Sequence, residues 1–397
     1  MKILVICQYY YPEPFRINDI CEEMVKRGHE VTVVTGEPNY PEGKIYKGYE
    51  NHAHVNEKIN GVKVHRCPII PRKKGAVYRL LNYFSYPYEA VKYVRNLMAS
   101  NGKPFDIVFV NQLSPVMMAG PAIVYKKKYG TPVVMYCLDL WPESLIAGGI
   151  TRGSLIYKVF HRISKMIYRN VDRILITSKM FRGYLKEQFG IEDEKIEYLP
   201  QYAEGLFEQL PYKENNGIID LVFAGNIGEI QSVETIIRAA GTLKYNNVHF
   251  HIVGGGSDEA RLQNLAKGLD NVKFYGRRPL EEMPEFYAKA DAMLVTLRAD
   301  LILSQTLPGK VQSYMAAGKP IIGAIDGETA EVVKDAKCGY CGKADDVNEL
   351  VKNIELFMES KEKEKMGFNA RMFYEKFFAR DRFMDELEKE MKYLKRI

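Results

Sequence analysis

The chain has 397 residues, which is too long for one ordinary α/β domain and suits two. Hydrophobic residues make up 46% and charged residues 27%, a composition that excludes collagen-like, coiled-coil and largely disordered proteins. The net charge of +6 is uneven, because residues 1–200 carry +10 and the remainder carries −4. The N-terminal half is therefore expected to contact anions or anionic surfaces.

Neither a secretory signal nor a membrane span is predicted. The apolar run after Lys2 ends at Cys7, which is too short for a signal peptide, and no run approaches the length of a membrane span. The Cys338–Cys341 pair lacks the second pair or nearby histidine that a zinc site needs. We expect reduced thiols, no metal ion, and a cytosolic protein or one that binds the cytosolic face of a membrane.

The first half begins with a strand, a helix and a strand. Continuous apolar residues at Lys2–Cys7 and Glu30–Thr35 predict buried strands, and helical spacing at Asn18–Arg27 predicts the helix between them. That is the repeating unit of a doubly wound parallel sheet. Further strands are predicted at 105–111, 131–137 and 173–177.

The second half repeats this architecture. Residues 201–217 lose periodicity and become polar, which predicts a linker. A strand at Asp220–Ala224, a turn at Gly225–Gly228 and a helix at Ser232–Leu243 follow, and the chain becomes charged and helical after Gly342. Further strands are predicted at 248–253, 292–296 and 320–324.

These patterns divide the chain into four parts. They are an N-terminal Rossmann-like domain at 1–200, the linker at 201–217, a second Rossmann-like domain at 218–373, and a C-terminal helix at 374–397.

Glycine-rich turns after the strands suit a phosphate-bearing ligand, because backbone N–H groups and a helix N-terminus face such a turn. The turn at Gly254–Ser257 is weak evidence alone, since many such turns only connect a strand to a helix. The absence of GxGxxG and GxxxxGK[ST] disfavours dinucleotide oxidoreductases and P-loop kinases. No Asp-x-Asp pair is present, so the divalent cation site of many nucleotide-sugar enzymes is not expected.

Several motifs together resemble glycosyltransferase family 4. They are Lys2–Cys7, Lys26–Thr35 and the block Leu307–Ile322. Three more, in the same order, are similar to its WbuB-like branch: Asn39–Lys44, Asp139–Ser144 and Asp326–Glu328. The resemblance extends over essentially the whole chain.

The resemblance implies a GT-B fold, in which two Rossmann-like domains face a cleft and the C-terminal helix returns to the N-terminal domain. It implies retaining, metal-independent transfer from a nucleotide sugar, with the donor phosphate as base and no cofactor. The WbuB-like branch further implies a UDP-sugar donor carrying an N-acetylated amino sugar, a lipid-diphosphate-linked acceptor, and a role in bacterial surface polysaccharide or O-antigen synthesis.

This sequence departs from the family pattern at several positions. The two carboxylates of the family's Glu-x7-Glu element fall on Gln305 and Ser313, and the first-domain histidine falls on Leu138. The cations of the second-domain phosphate loop align with Asn226 and Gln231.

Substitutes for the missing groups are available. Lys310 precedes a predicted helix, where an ammonium can meet a diphosphate, and Glu328 follows a strand near the expected cleft. Gln305 and Ser313 can still bind hydroxyl groups by hydrogen bonds.

The candidate site therefore has three groups. The predicted catalytic residues are Asp139 and Glu328. The predicted donor-binding residues are Gly225, Asn226, Arg277, Arg278, Gln305, Lys310 and Ser313. The predicted acceptor-binding residues are Arg16 and Asn18, which follow the first strand.

Each candidate also has a structural interpretation. The structural alternative for Lys310 is a solvated surface lysine, and for Arg277 and Arg278 it is an exposed strand end. Asp139, Glu328 and Asn18 are residue types that cap turns and helices. The alternating His249 and His251 are interpreted as structural, since no acidic partner is evident in the sequence.

Two basic, aromatic stretches indicate membrane binding by the N-terminal domain. They span 71–84 and 157–169, and they join lysines and arginines to tyrosine, leucine and phenylalanine. The residues predicted to insert are Tyr78, Leu81, Phe84, Phe160 and Ile167. A half-buried helix with a solvated face gives a similar pattern. We expect a peripheral protein on the inner face of the plasma membrane.

Two alternative functions remain open at this point. A UDP-sugar 2-epimerase can share the two-domain fold, and it needs no acceptor. A non-catalytic UDP-sugar-binding subunit is favoured by Gln305 and Ser313. A nucleic-acid partner is not expected, because no RNA- or DNA-binding motif accompanies the positive charge.

Overall fold

We describe the protein from a computed structural model. The structure describes residues 1–71, 75–146, 149–207, 209–214, 216–244 and 247–396. The chain forms two compact units. Unit 1 comprises Met1–Thr177, Phe181–Leu199 and Met384–Ile397, and unit 2 comprises Ser178–Met180 and Pro200–Phe383.

Unit 1 contains an eight-stranded sheet in the order β3-β4-β2-β1-β5-β6-β7-β8. The strands are β1 (Lys2–Ile6), β2 (Glu30–Gly36), β3 (Asn56–Ile59), β4 (Val62–Cys67), β5 (Ile107–Gln112), β6 (Val133–Cys137), β7 (Arg173–Ile176) and β8 (Ile196–Tyr198). All pairs are parallel except β3 with β4. The central strands are buried over nearly their whole length, which is why they read as continuous apolar runs.

Six α-helices pack in unit 1. They are α1 (Arg16–Lys26), α2 (Ala76–Val94), α3 (Gly120–Tyr129), α4 (Leu155–Asn170), α5 (Phe181–Phe189) and α13 (Arg380–Arg396), which begins in unit 2. Met384, Leu387 and Met391 of α13 are fully buried. The C-terminal segment therefore belongs to the core of unit 1.

Unit 2 contains a six-stranded parallel sheet in the order β11-β10-β9-β12-β13-β14. The strands are β9 (Ile219–Ala224), β10 (Val248–Val253), β11 (Val272–Gly276), β12 (Ala292–Thr296), β13 (Ile321–Ala324) and β14 (Gly339–Gly342). The helices are α6 (Val233–Thr242), α7 (Glu259–Leu265), α8 (Met283–Lys289), α9 (Gly309–Ala316), α10 (Glu328–Ala336), α11 (Val347–Glu359) and α12 (Lys363–Phe377). Two apolar clusters form the core of this unit, one on each face of the sheet.

The predicted α/β class with two Rossmann-like sheets is confirmed. The segment predicted as a linker, 201–217, has neither helix nor strand among its described residues, and Ala203 and Phe207 pack in the core of unit 2. The sequence analysis did not predict β3, β4, β8, β11 or β14. Within the described residues, no helix combines the length and apolar character that a membrane span requires.

Candidate functional site

The loops after β9 and β10 pack closely at the carboxyl edge of the sheet in unit 2. Gly225 N–H donates to Val253 O (2.9 Å), and Ile227 N–H donates to Gly255 O (3.1 Å). A Cβ at Gly254 would overlap the carbonyl oxygen of Gly225. The Gly254 turn is thus required for loop packing, whatever it binds.

Lys310 lies beside this edge, on the first turn of α9. Its Nζ donates to Gln231 Oε1 (2.7 Å) and lies 4.0 Å from the centroid of the Phe223 ring. A Cβ at Gly225 would be 2.8 Å from this Nζ, so the glycine makes room for the ammonium. Burial lowers the pKa of Lys310 to about 7. Among the described residues no carboxylate forms an ion pair with Lys310, and a bound phosphate would supply the missing negative charge.

Asn226, Arg277 and Arg278, the other predicted donor-binding residues near this edge, differ in their exposure and in their contacts with the protein. Asn226 and Arg277 are exposed, and no hydrogen bond or ion pair is found for the Arg277 guanidinium within the described part of the chain. Arg278 Nε donates to Tyr275 O (3.1 Å), and its guanidinium lies 3.9 Å from Glu282. Arg277 is therefore the freer of the two arginines for an anionic ligand.

The positions of the two substituted carboxylates are polar and partly buried. Gln305 Oε1 is buried without a hydrogen-bond partner among the described residues. Ser313 Oγ donates to Glu204 Oε2 (3.0 Å). Glu204 thus places a carboxylate beside Ser313, and sequence reasoning missed it because the two residues are 109 positions apart.

Glu328 is fully buried at the first position of α10. Its carboxylate accepts N–H bonds from Lys179 (3.2 Å) and Met180 (3.3 Å). Burial raises the pKa of Glu328 above its ordinary value, while these hydrogen bonds act in the opposite direction. The contacts show Glu328 holding the backbone at 178–180, and its predicted role in the reaction stays a prediction.

Asp139 lies after β6 in unit 1 and is surrounded by hydroxyl groups. Ser114 Oγ and Ser144 Oγ (2.6 Å) both donate to Asp139 Oδ2. Burial raises the pKa of Asp139, which the serine bonds partly oppose. A half-buried carboxylate with a raised pKa at the carboxyl edge of a sheet is suited to accept a proton.

The predicted acceptor residues lie on the first turn of α1, and the loop between β1 and α1 contains a candidate that sequence reasoning missed. Arg16 begins α1, and Asn18 Nδ2 donates to Glu13 O (2.8 Å). Glu13 is fully buried; its Oε1 accepts N–H bonds from Asn39 (2.9 Å) and Tyr40 (2.7 Å). Its Oε2 has no hydrogen-bond partner among the described residues, and burial raises its pKa to about 7. The signal for it was a glutamate between two prolines directly after a buried strand.

An exposed apolar and basic surface lies on α2 and α4 of unit 1. We name this region the α2–α4 surface. It comprises the exposed apolar residues Tyr78, Leu81, Phe84, Leu155, Ile156 and Val159, together with the exposed basic residues Lys158 and Arg162. The ring centroids of Phe84 and Phe160 are 6.2 Å apart, so the two helices meet at this pair of rings. Leu155 is 78% exposed, which is unusual for so large an apolar side chain.

Part of the predicted inserting set is wrong. Phe160 and Ile167 are 5% and 2% exposed, because they face the core of unit 1. They cannot insert into a bilayer, and Leu155, Ile156 and Val159 take their place on the exposed face. The predicted basic residues Arg72, Lys73 and Lys74 lie outside the described residues.

Two family models match the chain in succession. Residues 15–201 match the glycosyl transferase 4-like domain, and residues 208–373 match glycosyl transferases group 1. The first match falls on unit 1 and the second on unit 2.

Relatives agree with these matches. The chain is 29% identical to the putative colanic acid biosynthesis glycosyl transferase WcaI of Escherichia coli over 80% of this chain and 82% of that protein. It is 23% identical to a GDP-mannose-dependent alpha-mannosyltransferase of Mycobacterium tuberculosis, over 85% of this chain and 83% of that protein. Among solved structures, Anabaena Alr3699/HepE in complex with UDP and glucose superposes with a TM-score of 0.69 at 15% identity, with 99% of each chain covered.

The order of the two matched domains, the two parallel sheets and these similarities agree with one another. The chain is a glycosyltransferase with the GT-B fold, and the two domain matches support its resemblance to glycosyltransferase family 4.

Proposed function

We propose that the protein transfers a sugar from a UDP-sugar to a lipid-diphosphate-linked saccharide, with retention of configuration and without a metal ion. The proposed pathway is bacterial surface polysaccharide or O-antigen synthesis, as in the WbuB-like branch, and the proposed sugar is an N-acetylated amino sugar. The observation that carries the proposal is the Lys310 ammonium, which lies beside Gly225 without an ion-pair partner among the described residues.

Loss of the sugar leaves negative charge on the nucleotide diphosphate. A desolvated ammonium on the first turn of a helix stabilises that charge without a metal ion, and Arg277 adds a second cation at the same edge. Gln305 Oε1 and the Glu204 carboxylate beside Ser313 provide acceptors for the hydroxyl groups of the donor. The structure of Anabaena HepE with UDP and glucose supports a uridine nucleotide.

The acceptor hydroxyl has to lose a proton during transfer. In a retaining reaction on one face of the sugar, the departing phosphate oxygen takes that proton, and the protein orients the hydroxyl. Asp139, with its raised pKa, is proposed to orient the acceptor together with Arg16 and Asn18. The free Oε2 of Glu13 is a further acceptor atom in that loop.

A lipid-linked acceptor requires the enzyme to work at a membrane. The α2–α4 surface combines exposed leucine, isoleucine and aromatic side chains with lysine and arginine, the pattern of a surface that binds anionic lipid. We therefore propose a peripheral protein on the inner face of the plasma membrane. The similarity to the colanic acid biosynthesis glycosyl transferase WcaI supports a role in polysaccharide synthesis.

The test is a matrix of donors against acceptors. UDP-N-acetylglucosamine, UDP-N-acetylgalactosamine, UDP-glucose and GDP-mannose are each incubated with and without a lipid-diphosphate saccharide, in the presence of EDTA. We expect nucleotide release that requires the lipid and persists in EDTA with a UDP-sugar.

The other outcomes distinguish the alternatives. Conversion of the UDP-sugar without an acceptor indicates the epimerase, and binding without turnover indicates the non-catalytic subunit. Turnover with GDP-mannose alone overturns the uridine donor. GDP-mannose is included because one relative is a GDP-mannose-dependent alpha-mannosyltransferase. Loss of activity in EDTA overturns metal-independent transfer.

A further inference from the structure

A group of two histidines and one aspartate lies on the sheet of unit 2, apart from the donor site. Asp220 is on β9, and His249 and His251 are on the neighbouring strand β10. His249 is the register partner of Asp220, and the two histidines alternate along one strand, so the three side chains share one face of the sheet. The sequence showed no acidic partner for these histidines, but the parallel pairing of β9 and β10 supplies one.

The donor atoms of this group are close to one another. His251 Nε2 lies 2.8 Å and His249 Nδ1 lies 3.7 Å from the same oxygen, Asp220 Oδ1. One ligand atom from each residue falls within 4.8 Å of the others. A tetrahedral ion with bonds of about 2.0–2.2 Å holds its ligand atoms roughly 3.3–3.5 Å apart, so small side-chain rotations suffice to complete the site.

Neighbouring groups hold two of the three ligands in place. Lys213 Nζ binds the other oxygen of Asp220 (2.6 Å) and also Asp291 Oδ2 (2.9 Å). The Tyr275 hydroxyl is 2.8 Å from His251 Nδ1, so the second ring nitrogen of His251 is already paired. Metal-binding histidines characteristically have such a partner, which fixes the tautomer and the ring orientation.

The charge and access of the group also suit a cation. Lys213 forms ion pairs with both Asp220 and Asp291, so the second carboxylate offsets the charge of the ammonium. The His249 side chain is 47% exposed, which leaves an open path from solvent.

We propose that His249, His251 and Asp220 bind one divalent late transition metal ion of the zinc class. Two imidazoles and one carboxylate, with an open fourth position for water, are a zinc-type ligand set, and two imidazoles disfavour magnesium and calcium. Asp220 precedes Gly225 by five residues of extended strand, or about 16 Å. The proposed ion therefore lies away from the Lys310 edge. It connects β9 to β10 and takes no part in metal-independent transfer.

The experiment uses the full-length protein after chelator treatment. Cobalt(II) is titrated and its visible absorption recorded, and zinc binding is measured by calorimetry at neutral pH. We expect cobalt to occupy one tetrahedral site per chain, and zinc to displace the cobalt from that site. His249→Ala and Asp220→Asn should each weaken binding at least tenfold, and Tyr275→Phe, which acts through His251, should weaken it less.

The matched control is His54→Ala, because His54 is also exposed and also forms an ion pair, with Glu57 at 2.9 Å. It should bind metal as the unsubstituted protein does. His249 is half-exposed, so its replacement leaves the core intact, and a thermal melt checks this for every variant. Absence of stoichiometric binding, equal binding by the His249→Ala protein, or cobalt–thiolate absorption from the cysteines would each overturn the proposal.

Discussion

Lys310 is expected to take up a proton when the donor binds. In the free protein burial places the pKa of Lys310 at about 7, so above that pH the amine is largely neutral. A bound diphosphate favours the ammonium and raises this pKa, so binding UDP at pH 8 should take up a proton. The terminal phosphate, with a second pKa of about 6, is already ionised there and contributes no proton. UDP affinity should therefore fall as pH rises above 7.

Calorimetry in two buffers with different ionisation enthalpies measures the proton uptake directly. Lys310→Arg keeps the charge at every accessible pH, so this variant should bind UDP without proton uptake. Lys310→Ala should weaken UDP binding by about 1–3 kcal/mol, the effect of losing a charge-assisted hydrogen bond. An unchanged affinity and the same proton uptake in Lys310→Ala would place UDP elsewhere.

Glu204 is expected to supply a carboxylate that the family usually carries at position 313. Ser313 Oγ donates to Glu204 Oε2, so the acid lies beside the position of the missing carboxylate. Glu204→Gln should weaken donor binding about tenfold, or roughly 1.4 kcal/mol, since an amide is a poorer acceptor for a ribose or sugar hydroxyl. Calorimetry with UDP is the measurement, and the exposed Glu285→Gln is the control. Equal affinities for the two variants would leave Glu204 a structural partner of Ser313.

Asp139 should affect transfer and not donor binding. Asp139→Asn keeps the size of the side chain and its contacts with Ser114 and Ser144, but removes the negative charge. We expect transfer to fall about 10²-fold, the usual effect of a misplaced reacting group, with UDP affinity unchanged. Turnover and calorimetry on the same preparation separate the two effects. Parallel loss of both, or a lowered melting temperature, would indicate a turn-capping role.

At the scale of the element, α2 and α4 present the side chains that should enter a bilayer. Leu155→Glu with Ile156→Glu replaces two exposed apolar residues of the α2–α4 surface without touching the core. Each apolar side chain contributes roughly 1.5–3 kcal/mol when fully buried, so even partial insertion makes the loss large. The double variant should sediment with anionic liposomes at least tenfold less than the unsubstituted protein.

Leu301→Glu is the control, because Leu301 is 76% exposed on unit 2 and lies outside the α2–α4 surface. Transfer to a lipid acceptor should fall with the double variant, and transfer to a soluble short-chain acceptor should not. Equal sedimentation of the double variant and the control would exclude the α2–α4 surface as the membrane contact.

The elements differ in how visible they were in the sequence. Buried parallel strands such as β1 and β9 were predicted because both faces are covered and the run is continuously apolar. The edge strand β3 reads Asn-Glu-Lys-Ile, and β14 reads Gly-Tyr-Cys-Gly, so neither carries an apolar run. Polar edge strands form because they pair with a neighbouring strand, and the hydrophobic pattern of their own residues does not indicate that pairing.

In the candidate site, too, the residues of local motifs were predicted and those that depend on long-range contacts were not. Lys310 and the Gly225 turn were predicted because a local motif places them after a strand and at the start of a helix. Glu204 and the Asp220–His251 pair depend on contacts across 109 and 31 positions. Glu328 was correctly predicted to follow a strand, but its local sequence did not indicate its hydrogen-bond partners. Its carboxylate accepts bonds from the backbone N–H groups of Lys179 and Met180.

At the scale of the whole molecule, the chain leaves unit 1 after Leu199 and returns to it at Met384. Arg27 forms ion pairs with Asp385 (2.6 Å) and Glu388 (3.3 Å), and His29 Nε2 is 2.9 Å from Glu388. Hydrogen bonds from Lys392, His29 and Arg27 hold the pKa of Glu388 at about 2, against the opposing effect of burial. Since its unfolded pKa is near 4.5, this stabilisation is present above about pH 4.5 and is lost as pH falls towards 2.

The apolar face of α13 should matter more to stability than these partly exposed pairs. Leu387 is fully buried, so Leu387→Ala should destabilise unit 1 by about 2–5 kcal/mol through lost burial and the cavity left behind. Trp141, the single tryptophan, is fully buried in unit 1, and its fluorescence during urea unfolding reports on that unit. Leu356→Ala on α11, where the side chain is 42% exposed, is the control and should leave the midpoint nearly unchanged. If the Trp141 transition of Leu387→Ala coincides with that of the control, the last helix does not contribute to the stability of unit 1. If it moves to lower urea, a segment almost 250 residues beyond Trp141 in the sequence completes the core around it.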